Sequence, residues 1–177
     1  RTKDLTRILI NTYNKKYPDH FIIDLKREKI CRAAALHDVG KISISDTILN
    51  KKGRLTDEEM EIMKTHTTKG YEIIKGFKLN DDEEQERYSL DIAKYHHERW
   101  DGRGYPEGLK GDEIPLWSQI VGIVDVYDAL VSPRVYKKAF SHEKAMEMIL
   151  AGECGTFNPI LLECLKDAEE LLKNEYK

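Results

Sequence analysis

Apolar residues recur at helical spacing along nearly the whole chain. Residues 3–16 carry Leu5, Ile8, Leu9 and Thr12 on one face, and residues 24–37 carry Leu25, Ile30, Ala33, Ala34 and Leu36. Thr56-Asp57-Glu58-Glu59 has the form of a capping box and predicts a long helix over about 56–77. A polar turn over 77–84 leads into a helix over about 84–97. The next stretch, 98–115, is rich in Gly and Pro and reads as loop. A loop of that length in a compact domain is usually functional or disordered. Helical spacing resumes over 116–131, Ser141 can cap a helix to about Leu150, and Asn158-Pro159 opens the last one, with proline in its first turn. No strand-like alternation exceeds four residues and no internal repeat is present. The pattern predicts an all-α bundle of about six or seven helices with one long loop.

The chain has 177 residues, which predicts a single domain over 1–177. Hydrophobic residues make up 40%, enough for a core, and the net charge of −3 excludes a general nucleic-acid coat. No apolar run reaches membrane-spanning length and no signal peptide is visible. Cys31, Cys154 and Cys164 are odd in number and lack close pairing, so they read as reduced thiols of a cytoplasmic protein. The chain starts inside a charged, helix-like stretch, which leads us to expect a segment of something longer.

Candidate chemistry gathers on histidines and carboxylates. His37-Asp38 ends an apolar helix, where the pair can hold metal ions or merely face the helix dipole. His66 lies in the predicted 56–77 helix, and alone it reads more readily as a packed or exposed histidine than as a ligand. His96-His97 is more informative, because neighbouring helical side chains diverge by roughly 100° and can reach two ions. Asp125 sits in the apolar run Ile-Val-Gly-Ile-Val-Asp-Val-Tyr-Asp-Ala-Leu, where a carboxylate needs a cation or a buried basic partner. Mixed imidazole and carboxylate ligands suit Fe, Mn or Zn better than Mg or Ca, and the lack of a cysteine cluster argues against a structural zinc site. Lys41 can bring positive charge to an anion or be a solvated lysine. Glu98 can orient an imidazole or lie on the surface. Tyr105 can stack on a base or anchor its loop, and Trp100 and Trp117 read as loop anchors. Arg134, Lys137 and Lys138 form a cationic cluster that either grips phosphate or is a charged turn. His20 and His142 belong to no motif and read as surface residues.

In order along the chain stand His37-Asp38-Val39-Gly40-Lys41, His66-Thr67-Thr68-Lys69-Gly70 and the string from His96-His97-Glu98 through Gly104-Tyr105-Pro106. Ile114-Pro115, Asp125-Val126-Tyr127-Asp128-Ala129-Leu130 and Ser132-Pro133-Arg134-Val135-Tyr136-Lys137 follow. With these motifs the sequence resembles the HD-GYP domains of the HD superfamily of metal-dependent phosphohydrolases, over nearly the whole chain. The resemblance implies an HD-domain-like all-α bundle and hydrolysis of cyclic di-GMP to the linear dinucleotide, or on to GMP. It also implies two or three divalent transition metals, iron or manganese, held by His37, Asp38, His66, His96, His97 and Asp125, with Asp38 bridging. Catalytic roles fall to Asp38 and Lys41, the lysine at the scissile phosphate, and Tyr105, Arg134 and Lys137 would meet the nucleotide. Implied partners are cyclic di-GMP, a sensory or receiver domain before Arg1, and a diguanylate cyclase docking on the GYP loop. Two departures stand out. Asp4 occupies a position, three residues before Arg7, where the family places a histidine ligand, and Phe157-Asn158-Pro159 replaces the usual Phe-Asp-Pro. The Asp4 departure leaves a second reading, a catalytically weak cyclic di-GMP receptor, and a third is an HD phosphohydrolase acting on another nucleotide.

Overall fold

The computed structural model describes residues 1–77, 82–133 and 139–176, and within them it is helical with one long irregular loop. The helices are α1 (Thr2–Lys16), α2 (Asp24–Ala34), α3 (Asp46–Leu49), α4 (Asp57–Lys64), α5 (His66–Phe77), α6 (Glu83–Tyr95), α7 (Leu116–Val131), α8 (His142–Leu150), α9 (Pro159–Asp167) and α10 (Glu169–Asn174). Arg134 and Lys137, expected at the nucleotide, lie outside the described residues, as does Lys138. The all-α expectation holds, and the excess over six or seven helices has local causes. The predicted 56–77 helix breaks at Thr65, whose hydroxyl donates to the Ile62 carbonyl (2.6 Å), the last helix divides at Ala168, and α3 adds a single turn.

The capping signals work as read. Thr56 and Glu59 exchange both bonds of a capping box, Ser141 accepts from the Lys144 N–H, and Asn158 from the Ile160 N–H. Each such cap satisfies donors that the helix itself leaves open, worth about 1 kcal/mol.

α7 is the central element: Ile120, Val121, Ile123, Val124 and Tyr127 are all buried, which explains its apolar sequence. α1 packs on α2, α7 and α9, and α6 packs on α2, α5 and α7. Leu5, Leu9 and Ile10 of α1 meet this core, each burial worth about 1.5–3 kcal/mol against exposure. The turn between α1 and α2 is clamped by Asn14, whose amide donates to the Ile22 carbonyl and accepts from the Ile22 N–H, both at 2.8 Å.

His20 is exposed, as expected. His142 corrects its expectation: its ring is largely covered, its Nδ1 lies 2.6 Å from the Tyr127 hydroxyl, and its Nε2 lies 3.5 Å from Glu169. The tertiary packing of α8 on α7, which helical spacing cannot reveal, buries it. Trp117 anchors the start of α7 to α6 and not the loop; its ring stands 4.8 Å from Tyr88 and its N–H donates to Asp91 (3.0 Å). At Trp100 it is the backbone that ties the loop down, its N–H donating to the Thr156 carbonyl (2.9 Å) and its carbonyl accepting the Gly111 N–H (3.0 Å).

Candidate metal centre

Four helix ends and one helix interior converge on a single cleft. α2 stops at Ala34, and the turn that follows turns His37 and Asp38 inward. The break between α4 and α5 makes His66 the first residue of α5. His96 caps the C-terminus of α6, His97 follows it, and Asp125 projects from the middle of α7. Two backbone approaches set these positions. A Cβ on Gly40 would lie 1.9 Å from the His66 carbonyl oxygen, and one on Gly122 would lie 2.6 Å from that of His96. Only glycine lets the His-Asp turn lie against α5, and α7 against the end of α6.

Three imidazoles share one device. Nδ1 of His37, His66 and His96 contacts the backbone carbonyl of Ala34 (2.7 Å), Met63 (2.6 Å) and Ile92 (2.8 Å) respectively. A carbonyl only accepts, so each Nδ1 carries the proton and each Nε2 is turned toward the cleft. Nε2 of His66 and of His96 stand 3.5 Å apart, and 3.4 and 3.8 Å from Asp38 Oδ1. That oxygen is buried and has no hydrogen-bond donor. A buried carboxylate oxygen facing imidazole lone pairs is repulsive unless a cation stands between them. The donor set therefore fits a metal ion.

The ligand atoms fall into two overlapping groups, each within 4.8 Å: Asp38, His66, His96 and His97, and His37, His96 and Asp125. All six expected ligands are thus brought together, with His96 common to both groups. His37 Nε2 lies 3.4 Å from both Asp38 Oδ2 and Asp125 Oδ1. Burial opposes a charge on His37, but the two carboxylates outweigh it and push its pKa up to about 10. Burial likewise works against the charges of Asp38 and Asp125, yet His37 leads the groups that hold both well below the usual carboxylate range. Burial, then His96 beside it, presses His97 down to about 2, which keeps that ring neutral. Burial also lowers His66.

Lys41 pairs with Asp38 and lines a cleft of about 570 Å³. His66, His97, Asp125 and Tyr105 line it together with the apolar side chains of Leu49, Leu55, Met63, Val126 and Leu130. Tyr105 stacks on His97, with ring centroids 4.8 Å apart and planes at 20°, so one face of the ring is already used. The apolar lining was not legible, because nothing in the spacing of Leu49, Leu55 and Met63 marks them as bordering a site.

Glu98 neither orients an imidazole nor lies on the surface. Its carboxylate is buried and accepts the backbone N–H groups of Glu107 (2.8 Å), Gly108 (3.2 Å) and Leu109 (3.0 Å). It pins the far arm of the loop that carries Tyr105. A carboxylate just before a Gly-rich loop was the available signal. Asp4 stays outside both ligand groups: its carboxylate meets Arg7 at 3.2 Å. Arg7 in turn grips Glu28 through two bonds (3.1 and 2.9 Å).

With this geometry in hand, comparison with known proteins is informative. The HD domain family model matches residues 6–157. A cyclic di-GMP phosphodiesterase of Vibrio cholerae is 43% identical over 152 residues, covering 81% of this chain and 29% of that protein. The cyclic di-GMP phosphodiesterase response regulator RpfG of Xanthomonas campestris is 44% identical, covering 75% of this chain and 34% of its own length. The chain thus spans about a third of the curated relatives it matches. An HDG"Y"P protein from Bdellovibrio bacteriovorus has a similar fold, with a TM-score of 0.69 at 19% identity over 97% of this chain and 51% of that one. Among the described residues no helix is long and apolar enough to cross a membrane. The six converging histidine and aspartate side chains, the pinned Gly-Tyr-Pro loop and these matches agree: the chain belongs to the HD domain family, in its HD-GYP form.

Proposed function

We propose that this chain is a metal-dependent phosphodiesterase that opens cyclic di-GMP to the linear dinucleotide. The observation that carries this reading is the buried Asp38 Oδ1, which has no donor and faces Nε2 of His66 and His96. In this reading His37, Asp38, His66, His96, His97 and Asp125 would together hold divalent ions, each imidazole giving one lone pair to a single ion. Imidazole and carboxylate donors without thiolate suit iron, manganese or zinc, and the resemblance to HD-GYP domains favours iron or manganese among them. When bound, such ions supply charge neutralisation for the phosphodiester and activate water near neutral pH.

The chain's own residues do the rest. Lys41 holds its ammonium at the mouth of the cleft beside Asp38, where it can meet a phosphate oxygen as negative charge builds. The Nδ1–H bonds to Ala34, Met63 and Ile92 fix three ring orientations before substrate arrives, so little reorganisation is left to the reaction. Tyr105 shields the outer face of His97 and borders the cleft. The apolar lining suits the flat face of a base, and Arg134 and Lys137 remain proposed contacts for the distal part of a dinucleotide. A cytoplasmic setting within a longer signalling protein fits this reading.

The test is turnover by purified chain reconstituted with Mn²⁺ or Fe²⁺, the linear product being separated by chromatography. No product at full loading with either ion overturns the proposal. A relative 40% identical over 144 residues is named a 3′3′-cGAMP-specific phosphodiesterase, so the hybrid cyclic dinucleotide belongs in the same assay. Asp4 favours a second reading, a receptor without turnover, because it turns to Arg7 and adds no ligand. Binding of cyclic di-GMP without product identifies that case.

A further inference from the structure

Behind the stacked rings of His97 and Tyr105 lies a second cavity of about 350 Å³, formed by the near arm of the loop and the turn before α9. Those two rings border both cavities and form the partition between them. Arg99 and Arg103 reach this second space. The Arg99 guanidinium donates from Nη1 to the carbonyls of His96 (3.3 Å) and Glu98 (2.9 Å) and lies 4.9 Å above the Phe157 ring. Among the described residues no carboxylate forms an ion pair with it.

The opposing charge is already engaged. Asp101, which also lines the cavity, accepts the Arg103 backbone N–H at Oδ1 (3.0 Å) and the Thr156 hydroxyl at Oδ2 (3.0 Å), and Oδ2 also pairs with the Arg103 guanidinium at 3.9 Å. The lining thus holds two guanidinium groups, Arg99 and Arg103, and one carboxylate, Asp101. Gly155 brings the turn against Arg99: a Cβ there would sit 2.7 Å from Nε. The result is a guanidinium bonded to neutral carbonyls through Nη1, on a side chain that lines the cavity. A planar fork of this kind matches an oxyanion.

We infer that this cavity is an oxyanion site that takes a phosphate group through Arg99, with Arg103 closing over it from the rim. It is separate from the metal centre and does not depend on the hydrolytic reading. Two sources share the chemistry: inorganic phosphate, and a phosphate of a dinucleotide.

Isothermal titration of the metal-loaded chain with inorganic phosphate tests this. Binding at the second cavity survives Asp125→Asn, which disables the metal centre. Arg99→Met weakens it at least about tenfold, the scale of a lost charge-assisted hydrogen bond. Arg103→Ala, at an exposed side chain that does not threaten the fold, weakens it by a smaller factor. Phosphate binding unchanged in Arg103→Ala and Arg99→Met, or abolished by Asp125→Asn, overturns the inference. Displacement of phosphate by the 5′-phosphorylated linear dinucleotide, lost with Arg99→Met, makes a nucleotide the source. No displacement, with Arg99-dependent phosphate binding retained, makes it the free ion.

Discussion

Replacing Gly40 by alanine puts one methyl group where the structure has a backbone oxygen. The added Cβ would lie 1.9 Å from the His66 carbonyl oxygen and 2.5 Å from the Gly70 nitrogen, against 3.4 Å for ordinary contact, a shortfall of 1.5 Å at the first. Both obstacles are backbone, so no side chain can swing aside. Either α5 or the His37–Lys41 turn must move, which changes the spacing of His66 Nε2 and Asp38 Oδ1, now 3.4 Å. Overpacking costs about 1–3 kcal/mol where side chains adjust. A rigid obstacle puts this case at the upper end or above, so we expect a loss of about 3 kcal/mol and a fall in Tm of roughly 6–12 °C for a chain of this size. Metal affinity falls with it, because the ligand spacing widens. Gly70→Ala is the control: its Cβ would stand 3.3 Å from the Gly40 nitrogen, nearly ordinary contact, and alanine gains about 0.5–1 kcal/mol inside a helix. Gly122→Ala, 2.6 Å from the His96 carbonyl oxygen, falls between. Thermal melts by circular dichroism and metal content by mass spectrometry rank the three. If Gly40→Ala melts with wild type and retains full metal, or Gly70→Ala costs as much, the close-approach argument is wrong.

Four further outcomes are expected. Glu98→Ala leaves the Glu107, Gly108 and Leu109 N–H groups without their acceptor, at a cost of about 1–3 kcal/mol, and hydrogen exchange at those amides accelerates while α7 stays protected; unchanged exchange refutes the pin. His37 has a pKa raised to about 10 without metal, so its proton stabilises the metal-free fold most below pH 6.5, and that contribution fades as pH rises through 10. Metal loading near pH 7.5 must then expel a proton, and calorimetry in two buffers of different ionisation enthalpy gives different heats; equal heats refute it. Asp4→Ala leaves metal content unchanged, because that carboxylate meets Arg7 and not the ligands, and a drop in bound metal would show that it is a ligand. Lys41→Ala lowers kcat at nearly constant KM, since charge at the phosphate builds mainly in the transition state; a pure KM effect would place the lysine in ground-state binding.

Helix positions and caps were legible because they rest on local chemistry: the period of Leu5, Leu9 and Ile10, the Thr56–Glu59 box, and Asn158 before Pro159. The six candidate ligands were legible through the order of the HD-GYP motifs, since His66 or the His37-Asp38 pair taken alone reads more readily as structural. Their convergence was not, because it depends on where backbones can touch. Gly40 against His66 and Gly122 against His96 are contacts between segments far apart in sequence, and no periodicity records them. The same holds for roles assigned by burial. His142 reads as polar and peripheral until α8 lays it on Tyr127, and Glu98 reads as ambiguous until three amides nine to eleven residues away close on it. Which Arg99 atoms find partners, and which are left facing a cavity, follows only from the packing of the loop on the turn before α9. Sequence sets which groups are present and which local bonds they favour; desolvation and long-range contact, set by the tertiary fold, decide which of them are forced together.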